Sequence, residues 1–123
     1  NNTLRIIMST RIKINNQFIN SFKFNGGEVH VNIDHIEIGN LTQVEAYLYN
    51  SDDIMKLMMT IDAIREKKVF SVIELTIPYF PYGRQDRVCN PGEAFSVQVM
   101  ANMINRLKTK NYKANYVLYS LMV

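Results

Sequence analysis

The chain has 123 residues, 47% of them hydrophobic and 20% charged, with a formal net charge of +3. That is enough for one domain around one core, and the balance is that of an ordinary globular protein rather than a low-complexity or disordered one. A single cysteine, Cys89, excludes an intrachain disulfide and fits a cytoplasmic setting; no run approaches the ~20 apolar residues of a membrane span, and Asn1-Asn2-Thr3 before Arg5 does not read as a signal peptide.

In chain order, Leu4 to Met8 is a short apolar run. Arg11-Ile12-Lys13-Ile14 alternates, Asn15-Asn16 is a turn, and Gln17-Phe18-Ile19 resumes, so a hairpin is expected. Phe22-Lys23-Phe24 leads into Asn25-Gly26-Gly27-Glu28, after which Val29 to Ile33 alternates again. The paired glycines allow positive φ and a close backbone approach to a ligand or strand; spacing alone favours a plain hairpin turn. His30 and His35 stand at odd spacing, on opposite faces of a continuous strand, and make a poor metal pair.

Gln43 to Tyr49 reads as a strand, and Asn50-Ser51-Asp52-Asp53 supplies N-cap chemistry. Ile54, Leu57, Met58, Ile61 and Ile64 then recur at helical spacing to about Lys67, with Met55, Met58 and Met59 assigned to core packing. Val69 to Thr76 is rich in β-branched and aromatic residues, as in a buried strand, and Pro78 and Pro81 stop it. Asn90-Pro91-Gly92-Glu93 opens a second helix, 93–108, with Phe95, Val99, Met100, Met103, Ile104 and Leu107 on its apolar face. Ala114 to Tyr119 reads as a last strand. The basic runs Arg65–Lys68 and Arg106–Lys113 lie where the helices end, where cations complement the macrodipole; no aromatic residues alternate with them, so no nucleic-acid partner is expected. The alternation predicts an α/β fold with a mainly parallel, Rossmann-like sheet and flanking helices, preceded by a β-hairpin region.

The chemistry concentrates after the 69–77 strand. Tyr79-Phe80-Pro81-Tyr82-Gly83 is a rigid aromatic loop, and Arg84-Gln85-Asp86-Arg87 is its charged tip. In open α/β sheets ligands bind on such loops, outside the carboxyl ends of strands. Planar guanidinium groups suit phosphate or base stacking, and an amide can read a ring edge. A solvated turn beside core aromatics carries the same residues. Cys89 has no evident histidine partner and reads as an exposed loop thiol.

Pro78 to Asp86, with Glu93, Ser96, Ala101 and Asn102 in the following helix, resembles the N-terminal half of ribose-phosphate pyrophosphokinases (PRPP synthetases), whose signature is P-Y-F-P-Y-x-R-Q-D. Phe24-Asn25-Gly26-Gly27-Glu28 resembles the family's F-S-D-G-E turn, and Ser51 to Arg65 resembles its N-D-N-L-M-E-L-L-I-M-I-D-A-L-K helix. Gly26 stands where the family commonly has Asp or Asn, and Cys89 where some members have Asp. The family usually places a helix between its first two strands; here there is room only for turns.

The resemblance implies a phosphoribosyltransferase-like domain that binds ATP, with Mg²⁺, for diphosphoryl transfer to ribose 5-phosphate. It implies nucleotide contacts from Arg84 and Gln85, with Asp86 and Arg87 extending the loop. Phe24 would stack on adenine and Glu28 would read its amino edge, often across a subunit interface, so a homo-oligomer is expected. Leu121-Met122-Val123 stand where the family has D-L-H, and none can ligate Mg²⁺. Residues 1–123 are therefore expected to be one domain, inactive alone, lacking the C-terminal catalytic half and in need of a second domain or a full-length synthetase. Two other readings stay open: a catalytically silent homologue that binds nucleotide or serves assembly, and a plain interaction module.

Overall fold

The computed structural model describes residues 11–83, 90–113 and 116–117. The hairpin is present: β1 (Ile12–Ile14) and β2 (Gln17–Phe18) pair antiparallel. Asn15 and Asn16 both take positive φ, 49° and 67°, the two-residue turn whose twist matches the strands it joins. β3 (Asn20–Lys23) and β4 (Val29–Asn32) form a separate two-stranded sheet around the Gly26-Gly27 turn. β5 (Leu41–Ala46), α1 (Ser51–Lys67), β6 (Val72–Thr76), α2 (Ser96–Arg106), β7 (Lys110–Lys113) and β8 (Tyr116–Val117) complete the order.

The main sheet runs β2-β1-β5-β6-β7-β8. β5, β6 and β7 are parallel, as two strand–helix–strand crossovers require; β2, β1 and β8 join antiparallel. The expected mainly parallel sheet is thus a mixed one, with a parallel centre and antiparallel edges. At β2 and β8 the cause is local, since a two-residue turn joins β1 to β2 and two residues separate β7 from β8, too few for any parallel connection; the antiparallel β1–β5 pair is a long-range choice.

Burial also departs from a doubly covered sheet. Thr42, Val44 and Ala46 are buried while Leu41 and Gln43 are exposed, and in β6 Ile73 and Leu75 are buried while Val72 is 44% exposed. One face therefore packs with Leu57, Ile61, Ile64, Met100 and Ile104 of the helices into a single core, and alternation replaces the continuous apolar run of a buried parallel strand.

Boundaries moved in instructive ways. The 69–77 strand starts only at Val72, because Ser71 N–H bonds Lys68 carbonyl in a turn. The second helix starts at Ser96 rather than 93: Asn90 to Glu93 close a turn of their own, with Gly92 at φ 86° and Glu93 N–H on Asn90 carbonyl. Its buried residues are Val97, Met100, Ala101 and Ile104, so Val97 replaces the exposed Val99 on the core face. Met58 and Met59 pack on the core, whereas Met55, at 48% exposure, does not. Of the expected 114–119 strand, Tyr116–Val117 is described and is β8, the rest lying outside the described residues, and Lys110–Lys113 of the basic connection forms a further strand, β7. The Leu4–Met8 run and Leu121–Val123 lie outside the described residues. No described helix is long and apolar enough to cross a membrane.

Candidate functional site

The first turn of α1 is the structural hub. Asn50 caps it, its side-chain oxygen accepting from Asp53 N–H at 2.9 Å. Asp53, 1% exposed, accepts from Arg11 Nη1 at 2.9 Å and from Tyr49 N–H at 3.0 Å. Asp52 pairs with Lys23 of β3 at 2.7 Å, and hydrogen bonding from Lys23, with its charge and that of Lys56, holds the Asp52 carboxyl below its ordinary range against partial desolvation. Arg11, Lys23, Asn50, Asp52, Asp53 and Lys56 line a cleft of about 300 Å³ that also takes in Phe22 and Val29. On the other side of the same turn, Ser51, Ile54 and Met55 face Tyr82, Ala94 and Val99 across an apolar groove of about 320 Å³. The helix start thus lies between the hairpin and the aromatic loop.

The hairpin carries two of the sequence-predicted site residues. Phe24 N–H donates to Glu28 carbonyl and Gly27 N–H to Phe24 carbonyl, both at 2.8 Å, with Gly27 at φ 98°. Ser21, Val29 and Val31 face inward; Phe22, Phe24 and His30 face outward. Phe24 meets Phe22 edge-on at 5.1 Å and His30 at 5.5 Å, and Phe22 meets His30 at 5.4 Å. A Cβ at Gly26 would sit 2.5 Å from Glu28 Oε1, so the Glu28 carboxylate occupies the space that a side chain at position 26 would take.

The aromatic loop leaves the carboxyl end of β6 as expected. Ile77 and Phe80 are buried and anchor it; Tyr79 and Tyr82 are exposed, Tyr82 at φ 62°. Gly83 N–H bonds Phe80 carbonyl at 3.2 Å. Arg84, Gln85, Asp86, Arg87 and Cys89 lie outside the described residues.

Sequence reasoning missed Phe22 and His30 as members of the hairpin cluster. The signal was the Phe22-x-Phe24 alternation; what sequence could not supply was the register that sets Phe22 opposite His30. The two histidines are not on one continuous strand: β4 ends at Asn32, and His35 Nε2 bonds Phe18 carbonyl at 2.9 Å. For Mg²⁺, no group of three His, Cys, Asp or Glu side chains converges among the described residues, and Asp52 and Asp53 are engaged by Lys23 and Arg11.

A family profile described as the N-terminal domain of ribose phosphate pyrophosphokinase matches residues 1–107. The chain belongs to this family. Among ribose-phosphate pyrophosphokinases, it is 39% identical over 82 residues to that of Thermococcus kodakarensis, covering 63% of this chain and 28% of that protein. It is 36% identical over 86 residues to the putative ribose-phosphate pyrophosphokinase 2 of Listeria monocytogenes serotype 4b, covering 68% of this chain and 27% of that protein. The chain spans about a quarter of the length of these relatives. The crystal structure of phosphoribosylpyrophosphate synthetase from Mycobacterium smegmatis superposes with a TM-score of 0.59 at 21% identity, over 75% of this chain and 31% of that one, a likeness of fold. In this ribose-phosphate pyrophosphokinase domain, the F-S-D-G-E-like turn forms the tip of the β3–β4 hairpin and the N-D-N-L-M-like segment forms the capped start of α1.

Proposed function

We propose that this chain is the ATP-binding N-terminal domain of a ribose-phosphate diphosphokinase, which passes diphosphate from ATP to the anomeric hydroxyl of ribose 5-phosphate. The observation that carries the reading is the family match over residues 1–107 together with an exposed Phe24 at the tip of an ordered hairpin. Phe24 stacks on the base, Glu28 accepts from its amino edge, and Arg84 and Gln85 meet the nucleotide, with Asp86 and Arg87 extending that loop. A guanidinium over a π system contributes about 0.5–2 kcal/mol. Among the described residues, the ring contacts of Phe24 are with Phe22 and His30 of its own hairpin, which suits a base pocket completed between two copies of the chain. Mg²⁺ neutralises phosphate charge in such transfers; the residues assigned here bind and orient the nucleotide and leave ribose 5-phosphate to a second domain.

Leu121-Met122-Val123 favour one alternative, a silent homologue that binds nucleotide or assembles with a full-length synthetase. Titration of the chain with ATP or ADP, followed by NMR, tests the site. Binding near the millimolar end, about −4 kcal/mol, is expected. Arg84→Ala removes it, Arg84→Lys does little better because an ammonium has no planar face, and Lys108→Ala changes nothing. Shifts scattered over the basic helix ends and indifferent to Arg84→Ala refute the site. Given ATP, Mg²⁺ and ribose 5-phosphate, the chain alone should release no AMP above background, whereas steady release that survives further purification refutes the need for a second domain.

A further inference from the structure

The outer face of the β3–β4 hairpin holds an arrangement that the nucleotide reading above does not use. The strand pleat puts Phe22 and Phe24 on one face, and the register sets His30 directly across from Phe22. Phe24 lies opposite Glu28 through the Phe24 N–H to Glu28 carbonyl bond, which extends the same ladder to the tip. At the far end of this face the next cross-strand pair is Asn20 with Asn32, so the aromatic surface stops after three rings. Beneath it, Val29 and Val31 are buried, and α1 packs against β4.

We propose that Phe22 and His30 are positioning residues for Phe24, and that the three rings form a preassembled platform offering Phe24 to a planar heteroaromatic base. The proposal rests on the reading of Phe24 as a base-stacking residue. An isolated phenylalanine on an exposed hairpin samples its staggered rotamers and loses that freedom when a ligand fixes it. Here Phe22 meets Phe24 at 88° and His30 lies tilted at 36°, both within the separations that aromatic pairs favour. The ring is restrained before any ligand arrives, yet it remains 49% exposed. Imidazole as the third ring keeps a polar edge on the platform, which suits a surface that stands in water when no base is present.

The test compares ADP with inorganic tripolyphosphate as probes of the 123-residue chain and its variants. Phe24→Ala should remove ADP binding. His30→Ala and Phe22→Ala should each weaken ADP about threefold to tenfold and leave tripolyphosphate unchanged, and His30→Phe should restore ADP affinity. Nuclear Overhauser contacts between the Phe24 and His30 rings should be present in the free chain. If Phe24→Ala loses binding but His30→Ala and Phe22→Ala bind ADP like the parent, positioning is refuted while the site stands. If Phe24→Ala binds like the parent, or the parent binds no ADP, the site reading fails and takes the proposal with it. If His30→Ala weakens both probes alike, or unpairs the hairpin amides, the ring's role is structural and the proposal is overturned.

Discussion

Replacing Asp53 probes the capped start of α1 most directly. Its carboxylate is buried, accepts a hydrogen bond from Tyr49 N–H, and pairs with Arg11, whose own side chain is 37% exposed. Asp53→Ala leaves the Tyr49 amide without that acceptor, at about 1 kcal/mol for a part-buried bond on an exposed residue. It also strips a negative charge from a helix N-terminus and ends an ion pair, together about another 1 kcal/mol. Arg11 can rehydrate and keep its place over the Tyr49 ring, 4.9 Å from the centroid, which prevents the larger loss of a stranded buried charge. The expected total is about 2 kcal/mol, or roughly 8 °C in Tm for a chain of this size. Asp53→Asn keeps an oxygen for the amide and should lose only about 1 kcal/mol. Urea melts at pH 7 measure both. Equal losses for alanine and asparagine, or an alanine loss under about 0.5 kcal/mol, would refute the assignment of separate roles to acceptor and charge.

Lys67 Nζ donates to the carbonyls of Ile33, Asp34 and Ile36 at 3.0, 3.1 and 2.7 Å; Lys67→Met should lower stability by about 1–3 kcal/mol in the same melts. The Asp52 carboxyl titrates below its ordinary value in the folded chain, so its contribution is complete above the unfolded-state pKa and fades as pH falls through the folded one. Melts of the parent and of Asp52→Asn should therefore differ near neutrality and converge in acid; a constant gap would contradict this. Light scattering at high concentration should give a mass above 14.3 kDa if the base pocket is shared between copies; a strict monomer counts against that.

Local chemistry was the legible part. Asn50 and the acidic pair after it marked the start of α1 to within a residue, and Asn15-Asn16 marked a turn that needs two positive φ values. Strand direction was not legible, because β1 pairs with β5 across the intervening hairpin, and no local pattern encodes that choice. Asn90 to Glu93 carried helix-start residues but spent them on a closed turn, leaving Phe95 as an N-cap with no side-chain hydrogen bond. Val97 and Val99 are equally apolar; which one meets the core depends on how α2 lies on the sheet. At the candidate site, Phe24 and Glu28 could be picked out from the turn, whereas the ring contacts around Phe24 follow from a cross-strand register that only the fold sets.

The two fastenings of α1 have a consequence for how the molecule opens. Lys23 grips its first turn through Asp52, and Lys67 grips the segment after β4 from its last, about 22 Å away along the helix axis. Among the described residues the small hairpin shares no strand pairing with the main sheet, yet it is tied to α1 at both ends. Sheet membership would predict that it frays independently. The fastenings predict instead that its amides become solvent-exchangeable only when α1 itself lifts, so that hairpin and helix open as one cooperative unit while the β5–β6–β7 centre stays closed.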